Sequence, residues 1–450
     1  MSIQIYSIIG LVLIFLLATL RSVNMGAVAF LGAFLIGTFI YDESADDLFS
    51  GFPGDLFVVL VGVTLLFAIA KANGTVDWLI HAGVRAVKGR IALIPWVMFL
   101  VTSLLTMVGA VVPGAVAIMA PIGLNFATRY RINPMLMGLL IINGASAGGF
   151  SPISIFGSIT NGVVERSGLP GNPVLLWISS FLFNALLSVV VFFLFGGKQL
   201  LRRRVTTDET GGEPAGGGSG DTGEPVGSGG GGGGGATTAT RTSTQPVTQV
   251  TTLNTQRTVT LIGLVVLAVG ALALEFDVGL LALGIATTIC LLSPKDTKTC
   301  FGEVAWPTVL LICGVVTYVG LMERVGTIEF LGDSVAGIGV PLLAAFVICL
   351  IGGAVSAFAS TTGILGALIP LAVPFLQTGQ VGAVGMIIAL ALSSSIVDSS
   401  PFSTSGALVV ASTPEEHRDT MFRRLMIWGM SMIAVAPVVT CLIFVVPGWL

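Results

Sequence analysis

Charge is scarce in this sequence. Only 10% of its 450 residues are Asp, Glu, Lys or Arg, against about a quarter in soluble globular chains. That excludes an ordinary water-soluble domain. Two histidines and five scattered cysteines (Cys290, Cys300, Cys313, Cys349 and Cys441), with no CxxC, exclude a metal-ligand or disulfide framework. Nucleotide and zinc-hydrolase chemistry has no foothold: there is no Walker A, no HExxH and no GxGxxG opening a soluble βαβ unit. The stretch "GAVVPG" (109–114) carries no lysine and is not a phosphate loop. His81 and His417 fall in interfacial or loop segments and are read as solvated. The N-terminal "MSIQIYSIIGLVLIFLLATL" has neither a basic leader nor a small-residue cleavage site, so it is read as a retained first span.

Apolar residues are abundant instead. They make up 54% of the chain, and the mean hydropathy is +0.98. Continuous apolar runs long enough to span a bilayer recur throughout; the short alternating segments of a β-barrel do not. The expected fold class is an all-α polytopic membrane protein. Residues 206–256 differ: they are Gly/Ser/Thr-rich, of low complexity, and cannot bury a core. The region 201–256 is therefore read as a disordered cytoplasmic linker between 1–200 and 257–450.

Those two parts repeat. At an offset of 249 residues, ten of the 48 positions from 110 to 157 are identical. The matches pair breaks rather than leucines: Gly114 with Gly363, Pro121 with Pro370, Ser146 with Ser395, and "SP.S..G" at 151–157 with the same pattern at 400–406. Upstream, an offset of 252 pairs Gly62 with Gly314. An internal repeat with interrupted helices at matching places points to a secondary transporter and locates its site.

Each part reads as three spans, a short amphipathic segment (76–90 in the first), an apolar stretch broken in the middle (92–128 and 338–377), a broken span (134–160 and 381–411) and a last span. Treating 92–128 and 338–377 as re-entrant hairpins gives five spans per repeat, so the second repeat is inverted. With the linker in the cytoplasm, 18 of the 20 basic residues then lie inside; only Arg166 and Arg324 lie outside. The expectation is ten spans plus two hairpins, both termini outside, and hairpin tips meeting near the midplane.

Irregular backbone at membrane depth survives only where it is buried or lines a wet cavity. The candidate regions are the tips at 107–114 and 356–363 and the breaks at 143–154 and 393–404. No Lys or Arg lies inside the spans, so a bound carboxylate would be met by backbone dipoles and hydroxyls. The substrate-binding candidates are Ser146, Ser151, Ser154, Ser360, Thr361, Thr362, Ser400, Ser403 and Thr404. The cation-coupling candidates are Asp398, Asn143, Gly114, Gly363 and Ser395. Asp398 is the one carboxylate placed inside a span; its repeat partner is Gly149. It reads as a cation ligand or proton acceptor, or as the cap of a half-helix starting near Ser399. Asn143 reads equally as a helix–helix hydrogen bond.

Several stretches resemble a known group: "FPGDLFVVLVGVTLLFAIAKANGT" (52–75), "VPGAVAIMAPIG" (112–123) and "GLLIINGASAGGFSPISIFG" (138–157). The chain resembles the ion transporter superfamily that includes the divalent anion:sodium symporters, and its first 150 residues resemble the malonate/dicarboxylate carrier (MatC-like) family. The resemblance implies elevator transport by a homodimer in a bacterial inner or plasma membrane. It also implies a Ser-Asn-Thr motif at each hairpin tip. Ser360-Thr361-Thr362 matches in part, whereas Val111-Val112-Pro113 lacks every side-chain oxygen, which leaves proton coupling open beside sodium. The expected function is symport of a small dicarboxylate such as malonate or succinate with Na⁺ or H⁺. No other cofactor, no resident metal and no nucleic acid is expected. A cation/proton antiporter or oxyanion exporter on the same fold is the alternative. An intramembrane enzyme lacks a histidine or lysine beside its serines, and a channel or passive scaffold would lack saturable uptake.

Overall fold

An apolar segment in lipid must satisfy its backbone groups internally, and a helix does so residue by residue. The computed structural model accordingly consists of helices, with no strand among the described residues. It describes residues 4–21, 23–86, 90–201, 254–274, 276–292, 297–327, 330, 340–357, 361–377 and 379–448. Most of the linker (202–253), the second tip's Ser360 and the side chain of Thr362 lie outside the described residues.

The first part contains α1 (Gln4–Arg21), α2 (Met25–Ile40), α3 (Ala45–Ser50), α4 (Gly54–Ala72), α5 (Thr75–Ala86), α6 (Ile94–Met107), α7 (Val112–Arg129), α8 (Pro134–Gly149), α9 (Ile155–Arg166), α10 (Pro173–Leu194) and α11 (Gly197–Leu201). The second contains α12 (Thr255–Ala273), α13 (Val278–Leu292), α14 (Thr297–Gly302), α15 (Trp306–Arg324), α16 (Pro341–Ser356), α17 (Thr361–Gln377), α18 (Ala383–Ile396), α19 (Thr404–Ala411) and α20 (Glu415–Thr440). Helix starts follow from caps in the sequence. Asn24, Asn133, Asn172 and Asn254 accept amides of α2, α8, α10 and α12. Ser44 and Asp47 form a reciprocal capping box on α3, and the Ser44 bonds hold the Asp47 carboxyl below the usual carboxylate range.

Among the described residues, five stretches are long and apolar enough to cross a membrane: Gly54–Ala72, Pro173–Leu194, Trp306–Arg324, Ala383–Ala411 and Glu415–Val445. Shorter apolar helices, including α1, α2, α12 and α13, accompany them. Outward faces carry what lipid requires: Leu13, Leu17 and Leu20 on α1, and Leu182, Leu186 and Phe193 on α10, are exposed.

Packing is reciprocal between the parts. Helix α4 lies along α13, and its equivalent α15 lies along α2. Both crossings are glycine contacts. A Cβ on Gly62 would come within 2.8 Å of the Gly279 carbonyl oxygen, and one on Gly279 within 2.7 Å of the Val59 nitrogen. In the other crossing, Cβ atoms on Gly26 and Gly314 would overlap the Leu310 and Gly26 carbonyls. Small residues let backbones approach this closely where lipid supplies no hydrophobic drive. Within each part the arrangement also matches: α8 packs on α6 and α10, and its equivalent α18 packs on α16 and α20. The hairpin arm α7 packs on α19, and the arm α17 packs on α9.

Side assignments from charge agree with the ion pairs. Lys71 binds Glu303 at 2.8 Å, Arg324 binds Glu43 at 2.9 Å, and Arg166 binds Asp55. Each pair joins residues that the sequence reading puts on one face.

Replacing Gly314 with alanine should lower the thermal unfolding midpoint in detergent. The overlap should cost about 1–3 kcal/mol and exceed the gain in helix propensity of up to about 1 kcal/mol. Gly284, where a Cβ meets nothing within 4 Å, is the control. Equal midpoints for Gly314→Ala and Gly284→Ala would contradict a tight crossing at Gly314.

Candidate functional site

Two helices are broken, and the breaks are built alike. In the first part, α8 ends at Gly149 and α9 begins at Ile155. In the second, α18 ends at Ile396, a 3-10 turn spans Val397–Ser399, and α19 begins at Thr404. Pro152 and Pro401 have no amide to continue the ladder, so the backbone must turn out of helix here. The breaks are therefore shorter and later than the sequence suggests. Asn143, Ser146 and Ser395 lie in intact helix, not in irregular backbone.

One serine closes each break. The Ser154 hydroxyl donates to Gly149 O at 2.5 Å and Ser151 O at 2.7 Å, and accepts the Gly157 amide at 3.3 Å. The Ser403 hydroxyl donates to Asp398 O at 2.5 Å and Ser400 O at 2.6 Å, and accepts the Gly406 amide at 3.4 Å. The matching glycines are required: a Cβ at Gly157 or Gly406 would overlap the Ser151 or Ser400 carbonyl oxygen. Ser154 and Ser403 are thus the N-caps of α9 and α19. Asp398 does not begin a helix near Ser399; the half-helix starts at Thr404.

The breaks lie together. Helix α8 touches α18, the 3-10 turn and α19. Within this region Asn143, Ser146, Ser151, Ser154, Ser395, Asp398, Ser400 and Ser403 are all buried, while Thr404 is exposed. Asn143 donates to Ser188 on α10 at 3.1 Å, so its amide joins two helices. Ser151 donates to Met107 O at 3.0 Å, tying the first break to its hairpin. Ser395 bonds back to Leu392 O at 3.2 Å, and Ser400 accepts the Phe402 amide at 3.3 Å. At the second tip, Thr361 pairs with Ser356 at 2.9 Å; Gly363 lies in the first turn of α17. At the first tip, Gly114 faces open space, with nothing closer than Val111 Cβ at 4.0 Å.

Asp398 marks where the two breaks differ. Its carboxylate accepts the Ser405 hydroxyl at 2.5 Å, fully buried. The repeat equivalents are Gly149 and Phe156, and a Cβ on Gly149 would sit 3.4 Å from the Phe156 ring. A hydrogen-bonded carboxylate–hydroxyl pair in one break thus stands where the other has a packed glycine–aromatic pair. Ser405 is not among the residues the sequence singles out. Its signal is a paired change, seven residues apart, at the 249 offset.

The arrangement brings helix C-terminal carbonyls, capped helix N-termini and one buried carboxylate into contacting helices. It can hold an anion at one end and a small cation or proton at the other. Among the described residues no three His, Cys, Asp or Glu side chains cluster to hold a metal. Residues 1–149 match the family described as dicarboxylate carrier protein MatC N-terminus. That match covers the N-terminal third of the chain. A carrier N-terminus of this kind marks a membrane transporter and not an enzyme. The MatC-like segment runs through α8 to Gly149, the last residue before the first break. No curated protein matches the chain.

Ser154→Ala and Ser403→Ala should each destabilise the protein by about 1–2 kcal/mol, as lost N-caps do. Chemical unfolding in detergent checks this. Two variants as stable as wild type would contradict the role given to these hydroxyls.

Proposed function

We propose that the protein is a secondary active carrier of small dicarboxylates such as malonate or succinate, coupled to Na⁺ or H⁺. One observation carries the reading: two helix breaks with the same hydrogen-bond network lie in contacting helices, and the second holds a buried carboxylate. The MatC-like N-terminal third supports the dicarboxylate class. One substrate carboxylate would be met by each break, with amide and hydroxyl donors in place of arginine. Asp398, its charge oriented by Ser405, would couple the cation. Ser151, Ser400, Thr361 and Gly114 are the nearest candidates for direct contact with substrate. Ser154 and Ser403 act as positioning residues, because their hydroxyls already serve the backbone.

Reciprocal packing supports two repeats of five spans related by a two-fold axis in the membrane plane, the second inverted. An unequal fit supports elevator movement. Helices α9 and α17 pack on α4 and α15, whereas their equivalents α19 and α7 pack on each other without comparable contact to that pair among the described residues. The first hairpin tip abuts the middle of α4, where a Cβ on Gly109 would overlap Val63. One cluster displaced along the other, toward the Arg129 face, gives this pattern. A homodimer in a bacterial inner membrane, with both termini outside, completes the reading.

Asp398 also favours a second reading. A lone buried carboxylate suits proton exchange, as in a cation/proton antiporter or an oxyanion exporter on the same fold. Uptake of radiolabelled malonate into proteoliposomes, with Na⁺ and pH gradients imposed separately, separates the two. The expected result is saturable uptake driven by one gradient. Asp398→Asn should lower it roughly ten- to a hundredfold, the scale of one lost charge-assisted hydrogen bond. Gradient-driven cation flux without malonate uptake would favour the antiporter, and wild-type rates from folded Asp398→Asn would remove Asp398 from the site.

A further inference from the structure

Two open cavities lie at opposite ends of the broken helices, at places the repeat relates. One, of about 410 Å³, adjoins Pro370 on α17 and the end of α9. The other, of about 660 Å³, adjoins Pro121 on α7 and the end of α19. Pro121 and Pro370 are repeat equivalents. The first cavity lies at Arg166, where the α8–α9 rod ends; the second lies by Arg129, just before that rod begins at Pro134.

Their charges differ. The Pro370 cavity has Arg166 and Arg324 on its wall against Asp55 and Glu323, two positive and two negative. Both arginines are already paired, with Asp55 and Glu43. The Pro121 cavity has Arg129 and Arg418 against Glu415, a net of +1. Neither arginine is paired with a carboxylate among the described residues; Arg129 stacks on Tyr130 at 5.7 Å. Asn125 and Thr413 add polar groups to the wall.

From this cavity, α7 and α19 run toward the helix breaks. On α7, Gly114, Ala117, Pro121 and Asn125 are exposed, one face of the helix; on α19, Thr404, Ala407 and Ala411 are. None is a large apolar residue, unlike the exposed leucines and phenylalanines of α1 and α10. A lipid-facing surface this deep would carry the latter. The equivalent helices α9 and α17 are mostly buried.

We propose that the Pro121 cavity is a binding vestibule for a small dianion, with Arg129 and Arg418 as its counter-charges, opening from one membrane face onto the helix breaks. Two arginines and an amide at a wet cavity mouth raise the local concentration of a dianion over a monoanion. The inference rests on the dicarboxylate reading above and gives it an entrance. Arginines at this face also orient the chain in the membrane, so the test must read binding and not insertion.

The experiment uses the full chain in sealed vesicles of each orientation. Ala407→Cys is labelled with a membrane-impermeant maleimide, with the native cysteines of the wild type as background. Labelling should occur from the Arg129 face only. Malonate and succinate should protect the thiol, and acetate should not. Arg129→Gln and Arg418→Gln should each raise the half-protecting malonate concentration about tenfold, one charge-assisted contact's worth; Arg129→Lys and Arg418→Lys should raise it less. Absent labelling, labelling from both faces, or protection by phosphatidylglycerol vesicles but not malonate would overturn the proposal. Unchanged malonate protection in both glutamine variants would overturn it too. If malonate is not transported but still protects the thiol, the transport reading falls and the vestibule stands.

Discussion

A helix broken inside a membrane leaves backbone groups that neither the helical ladder nor water satisfies. Here one serine hydroxyl per break resolves the problem. Ser154 and Ser403 each donate to a carbonyl at the preceding helical end and to one within the break, and accept an amide of the following helix. Glycine at 157 and 406 makes room for that bridge. Everything proposed for function depends on these two knots, because they hold helix termini open at depth without charge.

Around the knots, packing is close and exchanged between the two parts of the chain. Gly144 and Gly148 on α8 meet the α6 backbone at Phe99 and Ser103, so the first break is braced by its own hairpin. The hairpin arms α7 and α17 then reach across to α19 and α9. Each break is thus supported by both parts of the chain. The glycine crossings of α4 with α13 and α15 with α2 lie outside this cluster.

Much of this is legible in the sequence. Prolines, serines and glycines at a constant offset of 249 mark the breaks because each residue type serves the backbone in its own way. Pro152 and Pro401 end a ladder, Ser154 and Ser403 cap, and Gly157 and Gly406 clear a carbonyl. Hairpin arms fall where the broken apolar stretches put them. The extent of the breaks is not legible in the same way. Asn143, Ser146 and Ser395 are polar but helical, since a serine or asparagine can bond within its own helix or to a neighbour without disturbing it. Ser405 escapes notice because a serine in the first turn of an apolar helix signals nothing until its distance to Asp398 is known. The two cavities depend on tertiary contacts that no local pattern encodes, as does the contrast between Arg166 and Arg324, each bound to a carboxylate, and Arg129 and Arg418, which have no carboxylate partner among the described residues.

Whether the two breaks form one site is decided by equilibrium binding of radiolabelled malonate to the purified chain. One malonate should bind per chain. Binding should be lost when either knot is disrupted alone, by Gly157→Ala or by Gly406→Ala, in protein that remains folded. Two malonates per chain, or a site that survives disruption of one break, would contradict a shared site.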